Sequence, residues 1–204
     1  MLIPWLNFIS LNVCAALLTY LYILSVMPIT REEQRGEKAW NECTVYRNIG
    51  GLMEFIMTAN LILWIWFPIP ALSWSIHPNI FIGIIIGVCI MVPCLLLVIK
   101  GVKDAGKETL KPSKETTMYQ GIYRYIRHPQ TLGEFPLFIA ISFMINSLFL
   151  VLWSTVCILL VIPIIMHYEE IDLEKRFGEP YREYKRNTGA FFPKFWKKKQ
   201  KTEE

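Results

Sequence analysis

The sequence has little that would mark a disulfide-stapled or metal-binding protein. Its five cysteines, Cys14, Cys43, Cys89, Cys94 and Cys157, include no CxxC pair, and no Cys/His cluster has metal-ligand spacing. They read as small apolar residues, with no disulfide and no structural zinc. The first apolar segment lacks a positive n-region and a small-residue cleavage site, so a cleaved signal peptide is not expected. No basic-aromatic fold signature accompanies the net charge of +4, which argues against nucleic acid as a partner. The largest absence is positive charge over most of the chain. All 21 Lys and Arg fall in residues 30–47, in residues 100–128 and in the C-terminal region.

What fills the gaps is apolar. The overall apolar share of 53% is only modestly above that of a soluble domain, so distribution decides the class. Roughly 20 helical residues cross a hydrocarbon core of about 30 Å. Five stretches suit this: residues 2–28, 48–67, 79–99, 129–146 and 148–167. The expected fold is therefore all-α and integral to the membrane, with five transmembrane helices in one domain. Residues 1–67 hold two N-terminal spans, 79–190 a catalytic core and 191–204 a basic tail. Asn146-Ser147 is a short uncharged turn, so the fourth and fifth spans read as a helical hairpin. Gly83 and Gly87 form a small-xxx-small pair that would admit a close helix neighbour. Pro93 is expected to kink the third span. Residues 30–47 read as a charged loop whose mixed signs at helical spacing are compatible with a short surface helix.

Charge also gives orientation. Five spans put the three basic regions on one side, and the positive-inside rule makes that side cytoplasmic and the N-terminus external. The membrane is the plasma membrane of a prokaryote or the endoplasmic reticulum. The lysine-rich end, Lys197 to Lys201, reads as a solvated tail compatible with anionic lipid headgroups. Trp64, Trp66 and Trp74 suit an interfacial belt on the far side. His77 lies on that far side as a loop residue.

Three polar features converge on the cytoplasmic face. They are the loop from Glu115, Thr116, Thr117 and Met118 to Tyr123, the segment Arg127-His128-Pro129-Gln130-Thr131, and His167-Tyr168-Glu169-Glu170. A hairpin sets its ends side by side, so His128 and Glu169 should be neighbours. On this geometry alone two readings stay open. The residues could form the lip of a pocket, or Arg127 could be an interface anchor, Pro129 a first-turn proline and the glutamates a solvated face.

The pattern Gly121-x-Tyr123-x-x-x-Arg127-His128-Pro129, followed about forty residues later by Glu169-Glu170-x-x-Leu173-x-x-x-Phe177-Gly178-x-x-Tyr181-x-x-Tyr184-x-x-x-Thr188-Gly189, resembles the isoprenylcysteine carboxyl methyltransferase family. That family belongs with phospholipid N-methyltransferases in a wider group of membrane methyltransferases. The resemblance covers roughly residues 100–195. It implies S-adenosylmethionine as cofactor and a lipophilic substrate entering from the bilayer. Its cofactor contacts would fall on Glu115, Thr116, Thr117, Met118, Tyr123, His128, Pro129, Gln130, Thr131 and Glu169. Methylation of a carboxylate on a lipid-like or prenylated molecule is the first expectation. Phospholipid amine N-methylation is the alternative, and a nicotinamide-dependent membrane reductase or a non-enzymatic membrane protein lies further off.

Two positions depart from the pattern. Many members have Tyr where this chain has Thr131. Isoprenylcysteine enzymes carry a carboxylate-binding arginine where this chain has Ile165, and no Lys or Arg lies between Phe135 and His167. Two acids remain within the spans, where unpaired carboxyls are costly. Glu134 is close enough to the mouth to touch substrate or to receive a proton, or else it is a helix-N-terminus acid. Glu54 is expected to bond a neighbouring helix. His167 is a candidate catalytic residue, as a substitute for the missing arginine or a partner of Glu170.

Overall fold

The computed structural model describes residues 2–114 and 120–194. Eight α-helices form among these residues, with no strand beyond two isolated bridges. The first helix, α1 (Leu2–Ser25), carries no charge. Pro28 opens α2 (Pro28–Arg35), a position where its missing amide donor costs nothing. The cap of α2 comes from far away: Asp172 accepts the backbone N–H groups of Ile29 (3.3 Å) and Thr30 (2.8 Å). Helix α3 (Lys38–Leu63) follows. The charged stretch expected as a loop is thus largely helical, because its mixed charges at helical spacing pair. Arg31 and Arg35 both reach Glu42, at 3.1 and 2.8 Å.

Helix α4 (Ile80–Ala105) is capped by Asn79, whose side chain accepts from Phe81 N at 3.0 Å. Pro93 lies inside α4 without ending it. After it come two 3-10 turns, Gly106–Thr109 and Gly121–Arg124. The fourth apolar stretch is not one helix. It divides into α5 (Pro129–Glu134) and α6 (Pro136–Met144) at Phe135, where Pro136 cannot donate to the preceding turn. Asn146, at φ 58°, turns the chain into α7 (Leu148–Phe177), and Ser147 Oγ accepts from Leu150 N at 3.3 Å. Gly178 ends α7 and α8 (Glu179–Asn187) follows.

Three helices are long and apolar enough to cross a membrane: Leu2–Ser25, Ile80–Thr109 and Leu148–Phe177. Their outer faces expose large apolar side chains such as Phe81, Leu96 and Leu159, as lipid contact requires. This is an integral membrane protein. Helix α3 falls outside the three because its first ten residues include Lys38, Asn41, Glu42, Thr44 and Arg47, and Glu54 and Asn60 interrupt the rest. The α5–α6 arm falls outside because it is broken.

Packing follows the small residues. A Cβ on Gly83 would strike the Phe143 carbonyl, and one on Gly87 would meet Met144 and lie 2.6 Å from the Ala140 carbonyl. The glycine face of α4 therefore seats α6 directly against it. Helices α1 and α3 bury Leu11, Cys14 and Leu18 against Met57, Leu61 and Trp64. Asn60 stitches this pair, donating to Ser10 Oγ at 3.0 Å and accepting from Asn7 Nδ2 at 3.0 Å through its carbonyl. Because α7 does not stop where its apolarity stops, it projects Glu169, Glu170, Asp172 and Arg176 beyond the apolar layer. That projection builds the site.

Candidate active site

Arg127 and His128 sit in a short extended segment before α5. The chain from Thr188 to Ala190 straps it in place. Arg127 N donates to Gly189 O at 2.9 Å and His128 N to Ala190 O at 3.1 Å. The Arg127 guanidinium adds bonds to the Thr188 and Lys185 carbonyls. Beneath this strap, α7 presents its two glutamates. His128 Nδ1 is 3.1 Å from Glu169 Oε2 and His128 Nε2 is 3.0 Å from Glu170 Oε1. Arg127 grips the same Glu170 oxygen at 2.6 Å, and Lys185 reaches Glu170 Oε2 at 2.9 Å. The hairpin thus brings His128 and Glu169 into contact. Glu170 is the member that organises the group, and the doublet Glu169-Glu170 was its signal in the sequence.

The imidazole is almost fully buried, and burial alone would lower its pKa. The two glutamates, Glu169 first, more than reverse this and raise it to about 9. His128 is therefore a cation at neutral pH, donating from both ring nitrogens.

Arg127, His128 and Glu169 of this cluster line a cavity of about 260 Å³. Tyr123, His128, Pro129, Gln130, Thr131, Glu134 and Glu169 all contribute to its wall. Gln130 Nε2 donates to Tyr123 Oη (2.9 Å) and Thr109 Oγ1 (3.0 Å), which leaves its carbonyl oxygen for a ligand. Burial holds the pKa values of Tyr123 and Tyr181 above the usual phenol range, so both hydroxyls keep their protons. Glu115, Thr116, Thr117 and Met118 lie outside the described residues. His167 is not brought to the others: it is exposed, packs edge-on against Tyr168, and does not line the cavity. His167 stands two residues, about 200° of helical turn, before the cavity-lining Glu169, so the two side chains leave α7 on opposite sides. Ile165, where the arginine would stand, is 1% exposed and also lies off the cavity.

The N-terminal helices supply a wall that carried no motif. Arg47, Gly50, Gly51 and Glu54 line the cavity from α3, and Leu18 and Tyr22 from α1. Their i, i+3, i+4, i+7 spacing puts the four α3 residues on one face. Arg47 donates to the carbonyls of Glu108 (2.7 Å), Thr109 (3.0 Å) and Ser25 (3.2 Å). Arg176 pairs with Glu108 at 2.8 Å, both side chains buried. Among the described residues, Tyr181 Oη and Glu54 Oε1 on the cavity wall are buried without a hydrogen-bond partner. Unpaired buried donors and acceptors are expensive, so a polar ligand here would relieve a real deficit. A carboxylate, an imidazolium and phenol hydroxyls together suit a zwitterionic ligand bearing ammonium, carboxylate and hydroxyl groups.

Comparison with known proteins points the same way. A phospholipid methyltransferase family model matches residues 82–180, from α4 to the first turn of α8. A methanethiol S-methyltransferase of Pseudomonas deceptionensis is 28% identical over 156 residues, covering 68% of this chain. The match spans 58% of that relative's length. The matched region contains the strapped Arg127-His128 segment and both glutamates of α7, so the site falls within the stretch of this chain that is similar to the phospholipid methyltransferase family.

Proposed function

We propose that the protein uses S-adenosylmethionine to methylate a lipophilic acceptor at the cytoplasmic end of a five-span bundle. The observation that carries this is the Glu169–His128–Glu170 cluster, set on a cavity with an unpartnered Tyr181 hydroxyl. When bound, the cofactor supplies a sulfonium-activated methyl group for in-line displacement. The chain's own residues would hold and orient it. Glu169 has acceptor capacity for ribose hydroxyls or the methionyl ammonium, the His128 cation suits a carboxylate, and Tyr181 offers a hydroxyl. Thr116 to Met118, which lie outside the described residues, are the proposed backbone contact for adenine. Alignment and exclusion of water are the protein's main catalytic contribution.

Orientation follows from charge. Helix α3 and the broken α5–α6 arm act as the second and fourth spans, and the site lies at the end that carries the basic residues of the described chain. The missing arginine weakens a carboxylate acceptor. The name of the matched relative favours a thiol, and that of the family favours a phospholipid amine.

Calorimetry on detergent-purified protein with S-adenosylhomocysteine and with NADPH tests the cofactor. Binding of the homocysteine compound alone is expected, with loss in Glu169→Ala and His128→Ala. Binding of NADPH alone would replace this reading with a reductase.

A further inference from the structure

Among the described residues, Arg47, Arg127, His128 and Arg176 are the cations that line the cavity. All but Arg47 are paired with carboxylates. Arg127 holds Glu170, His128 lies between Glu169 and Glu170, and Arg176 holds Glu108. Arg47 donates only to backbone carbonyls, those of Glu108, Thr109 and Ser25. The Glu108 carboxylate is committed elsewhere, one oxygen to Arg176 at 2.8 Å and the other to the Ser113 amide at 3.0 Å. Carbonyls satisfy donors, but they leave the charge of Arg47 without an opposite charge among the described residues. A partly buried charge in that state is costly. The guanidinium also has more N–H donors than these bonds engage.

We propose that Arg47 receives an oxyanion of the methyl acceptor, a carboxylate or a phosphate carried by an amphiphile. This rests on the methyltransferase reading above and gives its acceptor a charge. Carboxylate and phosphate share the chemistry that matters: each presents oxygens that a guanidinium binds with charge-assisted hydrogen bonds. The oxyanion sets the position of the acceptor, and its opposite charge offsets that of Arg47.

The α3 wall supports this placement. Its cavity face runs from Arg47 over Gly50 and Gly51 to Glu54. A Cβ on Gly51 would meet nothing within 4 Å, so bare helix separates the cation from the acid. Arg47 stands nearer the charged start of α3, and Glu54 lies about 10 Å further along the helix. An anion is thus drawn to the Arg47 end, and the apolar part of the amphiphile has the glycine stretch to lie on. The cofactor's carboxylate has the His128 cation, which is held by α7 glutamates and not by the partners of Arg47.

A purely structural tie, from the end of α1 to the turn at Glu108 and Thr109, is the rival. Glutamine at position 47 still donates to carbonyls but has no charge. Lysine keeps the charge, loses the fork and is the milder change. The test is calorimetry on full-length protein in a maltoside detergent, saturated with S-adenosylhomocysteine, with decanoate, decyl phosphate and decanol as probes. At least one anion should bind the wild type about tenfold or more tighter than decanol, as a charged hydrogen bond implies. The tighter anion tells carboxylate from phosphate. In Arg47→Gln that preference should collapse, and Arg47→Lys should restore part of it, with S-adenosylhomocysteine affinity at the wild-type value in both. Decanol binding as tightly as both anions, or a preference that survives Arg47→Gln, overturns the proposal. Equal loss of all three probes in Arg47→Gln leaves only the structural tie and overturns it too. A matching loss of S-adenosylhomocysteine affinity would assign Arg47 to the cofactor instead. The same titrations on cofactor-free protein keep the two readings apart: if the wild type binds no S-adenosylhomocysteine yet prefers the anions through Arg47, the methyltransferase reading fails and the oxyanion site stands.

Discussion

Arg176 Nη1 lies 2.8 Å from Glu108 Oε1, across 68 residues of sequence, and the two side chains are only 4% and 6% exposed. The pair closes the cavity floor, because Arg47 binds the backbone carbonyls of Glu108 and Thr109 from the other side. Removing one partner strands a buried charge. Arg176→Met should therefore destabilise the protein by about 3–5 kcal/mol. The Arg176→Met, Glu108→Gln double variant should recover much of that loss. Thermal unfolding in detergent checks both.

The raised pKa of His128 makes stability depend on pH. Its folded value is about 9 against an ordinary 6.5, so the protonated form is the one that folding favours. The contribution is fully present below about pH 6.5, falls as pH rises through the interval, and is gone above about 9. Its full size is of order 3 kcal/mol. Unfolding midpoints measured from pH 6 to 10 should fall in the wild type. The fall should be much shallower in His128→Gln.

Tyr181 offers a test of the ligand that does not need turnover. Its hydroxyl is buried without a partner in the protein alone. Tyr181→Phe should leave the free protein as stable as before, or raise its stability by about 1 kcal/mol. The same substitution should weaken S-adenosylhomocysteine binding by roughly tenfold, as loss of a ligand hydrogen bond does. Calorimetry and a melting curve on one preparation give both numbers.

Gly51 offers a test of which part of the cavity takes the acceptor. A Cβ there meets no atom within 4 Å and the residue is helical. Gly51→Ala should stabilise the helix by about 0.5–1 kcal/mol. Gly51→Leu should fold, retain S-adenosylhomocysteine binding, and lose methyl transfer to bulky acceptors before small ones. Loss of cofactor affinity in Gly51→Leu would move the acceptor space elsewhere.

The contact of His128 with Glu169 was legible because a hairpin without a loop leaves its ends no freedom to part. The glycine face of α4 was legible for a similar reason, since Gly83 and Gly87 recur at helical spacing. The span boundaries were harder. Apolarity ends near residue 167, but α7 continues to Phe177 because nothing before Gly178 breaks it. The break at Phe135–Pro136 was written in the proline and hidden by the unbroken hydrophobic run around it. The α3 wall was not legible. Arg47, Gly51 and Glu54 carry no motif, and their meaning depends on which face of α3 turns inward. Glu54 was expected to bond a neighbouring helix, and it instead lines the cavity with Oε1 buried and unpartnered among the described residues.

The bonds from Gly189 and Ala190 to Arg127 and His128 have a consequence for biosynthesis. The segment that fixes the histidine is translated some sixty residues after it. Until Thr188 to Ala190 leave the ribosome, Arg127 and His128 have no strap and Glu170 lacks Lys185. The protein therefore inserts its helices first and acquires its charged cluster last, so a chain stalled short of residue 188 would sit in the membrane as a bundle whose Arg127, His128 and Glu170 lack their strap.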